Sequence, residues 1–355
     1  EVVRMVLNMY VSFLSSHLFC TFSPVQQTNL SNTNTNTHTH THRYNGDEKT
    51  SCGVFTTGGT ESILCAIKSY RDRGRAINGI YDPNIVICQT AHAAFDKACQ
   101  YFAIKIRKAR TDPLTQRVDV SHLESLIDSN TVCIVGSAVQ FPHGSMDPIE
   151  ELSTIALRKN IGLHVDCCLG GFIVPFMEKA GFKPFQKFDF RVPGVTTISC
   201  DPHKYGFSPK GASVLMFRDQ SLRHHMYSFC VDWTGGIYAT PTLTGSRAGS
   251  VVAACWASMM HYGENGYVES TRKIVAATRR IAKGITDEFD QIDVVGVPDA
   301  SVVAFGASKS SKVNIYSVAD VMKDRFGWEL ATLQNPPSVH LALTLPTAKN
   351  ADLFL

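Results

Sequence analysis

Ser199-Cys-Asp-Pro-His-Lys-Tyr-Gly206 sets a lysine just past the end of an apolar strand, with His203 before it and Gly206 two residues after. A lone lysine in a loop is ordinarily a solvated surface residue, but four other features fall at the same kind of place. Leu163-His-Val-Asp166 ends a second apolar strand in a carboxylate, followed by small residues and Gly170-Gly171. His92 follows the apolar run Asn84–Cys88 at the start of a helix, where an imidazole can stack on a flat ring or simply cap. Gly58-Gly59-Thr60 precedes the first strong helix, and Thr244-Gly-Ser-Arg-Ala-Gly249 turns into another. Backbone N–H groups at such helix starts, with the helix dipole behind them, suit a phosphate.

The segments between these points alternate. Ser62–Arg73 carries Ile63, Leu64, Ile67 and Tyr70 at helical spacing, and His92–Phe102 reads as a helix. Ile104–Ile106, Thr131–Val139, Gly162–Asp166, Thr196–Asp201 and Ala212–Phe217 read as strands, apolar on both faces. Ser121-His-Leu-Glu124 has the form of a capping box, and Asp147-Pro148 that of an N-cap followed by a first-turn proline. Strand and helix in alternation predict an α/β fold with a mostly parallel sheet covered by helices. Helices are expected over Gly249–His261 and Val268–Phe289. Short strands at Val294–Val297, Val302–Phe305 and Val339–Leu345 around a helix at Val318–Phe326 predict a small α+β unit, truncated at its end.

Composition narrows the class. Apolar residues make up 44% of the 355 and charged residues 18%, which excludes a disordered chain. A formal charge of +3 without a basic cluster gives no footprint for nucleic acid. Eleven cysteines with no CxxC pair point to a reducing compartment. Residues 26–42 are low in complexity and end in an alternating Thr-His run; we read about 11–45 as an insert from non-coding sequence, and residues 1–10 as the remnant of an N-terminal helix. The apolar run Met5–Phe22 holds too many polar residues for a good membrane span. A zinc module on His38, His40 and His42 lacks a fourth ligand, so no metal is expected.

Phosphate turn, histidine, aspartate and lysine, in that order and all at carboxyl ends of strands, form the pattern of pyridoxal-phosphate enzymes with the aspartate-aminotransferase fold (fold type I). Ligands of open α/β sheets bind in that crevice, and a carboxylate is the natural partner of a pyridinium nitrogen. The segments GVFTTGGTESI (53–63), TAHAAFDKA (90–98), QFPHGSMDPI (140–149), HVDCCLGGFIVPFMEKAGF (164–182), SCDPHKYGFSPKG (199–211), DWTGGIYATPTLTGSRAG (232–249) and MHYGENGY (260–267) closely resemble the sphingosine-1-phosphate lyase family, within the wider group II decarboxylases. Pro202 stands where lyases more often carry a small polar residue, and is similar to the decarboxylases instead.

The resemblance implies pyridoxal 5'-phosphate as cofactor and a large cofactor-binding domain over 46–265, with a linking helix and small domain over 266–355. Lys204 would bond the cofactor, Asp166 would pair with its ring nitrogen and His92 would stack on the ring. Gly59, Thr60 and His203 would hold the phosphate, with Thr244, Gly245 and Ser246 contributed by the neighbouring subunit of a homodimer. It further implies retro-aldol cleavage of phosphorylated sphingoid bases to a fatty aldehyde and phosphoethanolamine, at the endoplasmic reticulum membrane, through an N-terminal anchor upstream of Glu1. Burial beside a cationic ring is expected to lower the pKa of Lys204. Tyr205, Lys210 and His143 remain open as base candidates, Lys210 also as a substrate-phosphate ligand. An amino-acid decarboxylase on the same scaffold and an inactive fragment are the alternatives.

Overall fold

The computed structural model describes residues 2–9, 51–183 and 186–355. Residues 11–45, with the Thr-His run, lie outside the described residues. Seven strands build the main sheet: β1 Cys52–Thr56, β2 Asn84–Cys88, β3 Lys105–Ala109, β4 Thr131–Ser137, β5 Gly162–Cys167, β6 Thr197–Cys200 and β7 Ser213–Phe217. Their order is β1-β7-β6-β5-β4-β2-β3. Pairings among β2 to β6 are all parallel, whereas β7 runs antiparallel to both β6 and β1. The carboxyl ends of β1, β2, β4, β5 and β6 therefore share one edge. β1 is a strand the sequence pattern does not announce, because CGVFT is too short and mixed to stand out.

Helix α1 (Val2–Met9) buries Val2 and Val6. α2 (Gly59–Asn78) and α3 (Ala94–Phe102) cover one face of the sheet; α4 (Val120–Ser125) sits beside β2 and β3, and α5 (Ile149–Lys159) packs on the opposite face. Two expected caps are corrected. The start of α4 is capped by Asp119, whose carboxylate accepts from His122 N at 2.9 Å, so the box at Ser121–Glu124 does not form. Asp147 does not cap α5: it is fully buried and accepts from Ser137 N and Val118 N at 2.8 and 2.9 Å. Those inward-facing amides hold the carboxylate away from the helix start, and burial pushes this carboxyl up to about 6.

After α6 (Gln220–His224), a hairpin of β8 (Ser228–Cys230) and β9 (Tyr238–Thr240) stands largely exposed. The two helices expected over 249–289 form one run, α7 (Gly249–Glu288), broken at Gly263, whose φ of 56° and ψ of −172° only glycine adopts readily. Beyond it, β10 (Ile292–Val294), β11 (Val302–Ala307), β12 (Ala331–Leu333) and β13 (Ser338–Ala342) make an antiparallel sheet ordered β10-β11-β13-β12, with α8 (Ile315–Phe326) against it. Among the described residues no helix is long and apolar enough to cross a membrane.

Candidate active site

Strands β5 and β6 are buried on both faces but are not apolar on both. Side chains alternate between faces of a sheet. Leu163, Val165, Cys167, Ile198 and Cys200 join the core on the α5 and α7 side, which leaves His164, Asp166, Thr197 and Ser199 pointing toward α2. The register sets Asp166 opposite Ser199. Polar contacts then run along the strands: Tyr70 Oη to Thr197 Oγ1 at 2.6 Å, Thr197 Oγ1 to His164 Nδ1 at 2.7 Å, His164 Nε2 to Ser199 Oγ at 3.2 Å, and Ser199 Oγ to Asp166 Oδ1 at 3.3 Å. If each group donates toward the carboxylate, every one of these contacts is satisfied with a neutral imidazole. Burial holds His164 neutral by pushing its pKa down to about 4.

Asp166 ends this relay. Burial alone would raise its pKa; a charged His164 would lower it most, but that imidazole is neutral, so the hydrogen bonds from Cys168, its N–H at 3.0 Å, and the charge of Lys204 hold it below the usual carboxylate range. Its Oδ1 takes the Cys168 and Ser199 bonds, and Oδ2 has no hydrogen-bond partner among the described residues. Lys204 behaves opposite to expectation. Burial pulls its pKa down, yet Cys168, Asp201 and Asp166 outweigh that and raise it well above the ordinary lysine value. Cys168 is itself a buried thiol pushed far up and stays uncharged, so the two carboxylates supply the effect. The nearer is Asp201, whose Oδ2 lies 3.1 Å from Lys204 Nζ.

The Gly-Gly-Thr turn is the start of α2, with Gly58 at the cap and Gly59 as the first helical residue. A Cβ on Gly59 would stand 2.6 Å from Asp201 Oδ2 and 2.9 Å from Cys168 Sγ, so only glycine lets the helix start approach the β5 and β6 ends. Gly58 faces the ring of His203. That imidazole accepts from Ala212 N through Nδ1 at 3.1 Å, which puts its proton on Nε2, 3.6 Å from Asp201 Oδ2. Thr60 is exposed beside the turn. Glu61 closes the turn from behind, accepting from Thr57 N and Oγ1 at 2.7 and 2.8 Å and from Thr244 N and Oγ1 at 3.3 and 3.2 Å. Thr244 thus sits against α2 of its own chain, with Gly245 and Ser246 exposed beyond it.

The remaining candidates lie in different surroundings. His92 is exposed at the end of β2, and its Nδ1 accepts from Ala94 N at 3.0 Å at the start of α3. Tyr205 is buried and donates to Leu343 O at 2.9 Å, tying the lysine turn to the segment after β13; burial pushes its hydroxyl up to about 12. His143 is buried between the two sheets, hydrogen-bonded to Gln140, with Nε2 unpartnered among the described residues and its pKa pushed down to about 4 by burial. Lys210 is exposed at the far end of the lysine turn, and its charge helps depress the pKa of His203 after burial does so. Sequence reasoning gave no role to Asp201, His164, Ser199, Cys168 or Glu61. The available signals were the Asp-x-x-Lys spacing in a turn and the polar residues at every second position of LHVD and TISC.

Comparison with known proteins fits this geometry. The profile of the pyridoxal-dependent decarboxylase conserved domain matches residues 29–308. The chain is 47% identical to the sphingosine-1-phosphate lyase of Saccharomyces cerevisiae over 87% of its length and 52% of that protein. It is 48% identical to sphingosine-1-phosphate lyase 1 of Mus musculus, over 83% of the chain and 51% of that protein. It thus spans about half the length of the curated relatives it matches. The structure of a Burkholderia pseudomallei sphingosine-1-phosphate lyase superimposes with a TM-score of 0.83 at 40% identity, covering 88% of this chain and 70% of that one. Glutamate decarboxylase of Lactobacillus brevis, at 23% identity and a TM-score of 0.74, shares the fold. The chain belongs to the pyridoxal-dependent decarboxylase family, and within it to the sphingosine-1-phosphate lyases.

Proposed function

We propose that this chain carries the catalytic centre of an enzyme that cleaves phosphorylated long-chain sphingoid bases to a fatty aldehyde and phosphoethanolamine. The observation that carries the reading is the convergence of Lys204, Asp166 and the start of α2 on one edge, in a chain 40% identical to a lyase of known structure.

Pyridoxal phosphate is the cofactor of this family, and the residues present suit it. Asp166 offers an open Oδ2, Asp201 Oδ1 is buried without a partner, and Gly59 leaves a hollow at a helix start that any side chain would fill. In this reading Lys204 bonds the cofactor, Asp166 faces its ring nitrogen and His92 its flat side. Gly59, Thr60 and the Nε2 proton of His203 hold the phosphate. When bound, the cofactor supplies an electron sink for the bond that breaks beside the aminated carbon. The chain's own residues set the conditions for that sink. The relay from Tyr70 to Ser199 orients Asp166, and the Cys168 N–H and the charge of Lys204 favour its ionised form, which would retain a proton at the ring nitrogen it faces. Lys204 must give up a proton before it can act as a nucleophile. In this reading Lys210, exposed beyond the lysine turn, meets the substrate phosphate.

The same reading has a homodimer, with the turn Thr244–Ser246 near the shared boundary. In support, Phe229, Trp233 and Ile237 on the β8–β9 hairpin and Trp256 at the start of α7 are exposed apolar side chains beside it. It also places residues 46–265 and 266–355 as large and small domains, and the enzyme at the endoplasmic reticulum membrane, the last on family resemblance.

The test is product analysis of the protein loaded with pyridoxal phosphate and given sphinganine 1-phosphate. Fatty aldehyde release is expected, and Lys204→Ala should abolish both that release and the cofactor's protein-bound absorbance band. Carbon dioxide from an amino acid with no aldehyde from the phospholipid base would overturn the assignment.

A further inference from the structure

We propose that Asp201 is the proton acceptor for Lys204 and becomes neutral as the cofactor phosphate docks against the start of α2. This rests on the pyridoxal phosphate reading above. Asp201 is 2% exposed by side chain, its Oδ2 lies 3.1 Å from Lys204 Nζ, and its Oδ1 has no hydrogen-bond partner among the described residues. Both oxygens crowd the position where a Cβ of Gly59 would stand, at 2.6 and 3.0 Å, so the carboxyl group is aimed at the amide end of a 20-residue helix. Lys204 and His203 face it from its own turn and Cys168 from the end of β5; Asp166 and Lys210 act on Lys204 and His203 one step further out.

Two demands meet at this carboxyl. A phosphate at the start of α2 is repelled by a buried carboxylate, and Lys204 is held protonated by the same carboxylate when it should be a free amine. One transfer answers both. The N–H bond of Lys204 breaks, an O–H bond forms at Asp201 Oδ2, and the lone pair stays on Nζ. Opposite unit charges become two neutral groups, so no charge is created, and the neutral carboxyl can donate to the incoming phosphate.

Calorimetry of pyridoxal phosphate binding in two buffers with different heats of ionisation counts the protons exchanged. Asp201→Asn cannot take the proton, so at a pH where reductive methylation shows Lys204 of the cofactor-free variant still charged, it should bind the cofactor with about one more proton released, or one fewer taken up, than the unsubstituted protein, and its log affinity should gain about one unit of slope against pH. Asp201→Ser serves the same comparison if the Asn variant fails to melt cooperatively. Equal proton counts and equal slopes would overturn the proposal. Borohydride reduction with peptide mapping, run in parallel, separates the two levels. Cofactor label on Lys204 with unchanged proton counts sinks only the role of Asp201, whereas no label on Lys204 in the unsubstituted protein sinks the functional reading itself.

Discussion

The two faces of the seven-stranded sheet are made by the same strands and do opposite work. Toward α5 and α7, β5, β6 and β7 present Val165, Cys167, Ile198, Cys200, Val214 and Met216, all essentially unexposed and in one apolar core. Toward α2 the same strands present His164, Asp166, Thr197, Ser199 and Ser213, all buried, beside the apolar Leu215 and Phe217 of β7. Burying polar groups is tolerable there because each has a partner: Ser213 Oγ meets Ser62 Oγ at 2.8 Å, and the other four belong to the relay. Both faces exclude water, the α2 side through its own apolar cluster of α2, α3, β2, β4 and β7; along β5 and β6 that side also carries the polar line that ends at a carboxylate. Function is purchased on a single face, and the alternation of a strand lets both coexist without interfering.

Substitutions on the two faces should therefore separate stability from chemistry. Asp166→Ala should cost the most chemically, with aldehyde release falling about 10³-fold, close to 4 kcal/mol of barrier. Its unfolding midpoint should move little; a loss under tenfold would remove Asp166 from the centre. Ile198→Ala on the opposite face should do the reverse, lowering unfolding free energy by about 2–5 kcal/mol in denaturant melts. Turnover per folded molecule should be unchanged, and a matching loss of turnover would show that the faces are coupled. Ser199→Ala removes one hydrogen bond to a charged acceptor, worth about 1.5–3 kcal/mol. Weaker cofactor affinity by about tenfold or more is expected, together with a stability loss of about 1–3 kcal/mol because His164 Nε2 is left without its acceptor.

The smallest effect is in pH. His164 is neutral when folded, its pKa near 4, and takes a proton at its ordinary value of about 6.5 once unfolded. Between those values the unfolded chain binds more protons, so this residue makes stability fall on acidification, by up to about 1.4 kcal/mol per pH unit. Asp147, raised to about 6, works in the opposite sense, so the informative quantity is the difference from His164→Asn. Denaturant melts at pH 6.5 and 5.5 should show the variant losing less; equal losses would mean that His164 is not buried neutral.

Much of the fold was legible because hydrophobic periodicity survives without tertiary context. The strands from β2 to β7 appear in LHVD, TISC and their counterparts, and the helices α2 and α3 in spacing. Boundaries and caps were less secure. Ser121 and Asp147 both read as caps in sequence; only the structure decides that Asp147 turns inward to the amides of Val118 and Ser137 and that Asp119, not Ser121, caps α4. The site was legible in outline through Lys204 and Asp166, each just beyond or at an apolar strand end.

By itself, then, the sequence determined the alternating architecture, the family, and the lysine and aspartate on which the proposed chemistry turns, because local pattern and short motifs carry that information. What only the tertiary structure decided is the electrostatics: that Lys204 is held charged rather than neutral, that Asp201 and Asp166 do this, and that a buried histidine stands behind Asp166. Ionisation depends on distance and burial, and both are set by residues far apart along the chain.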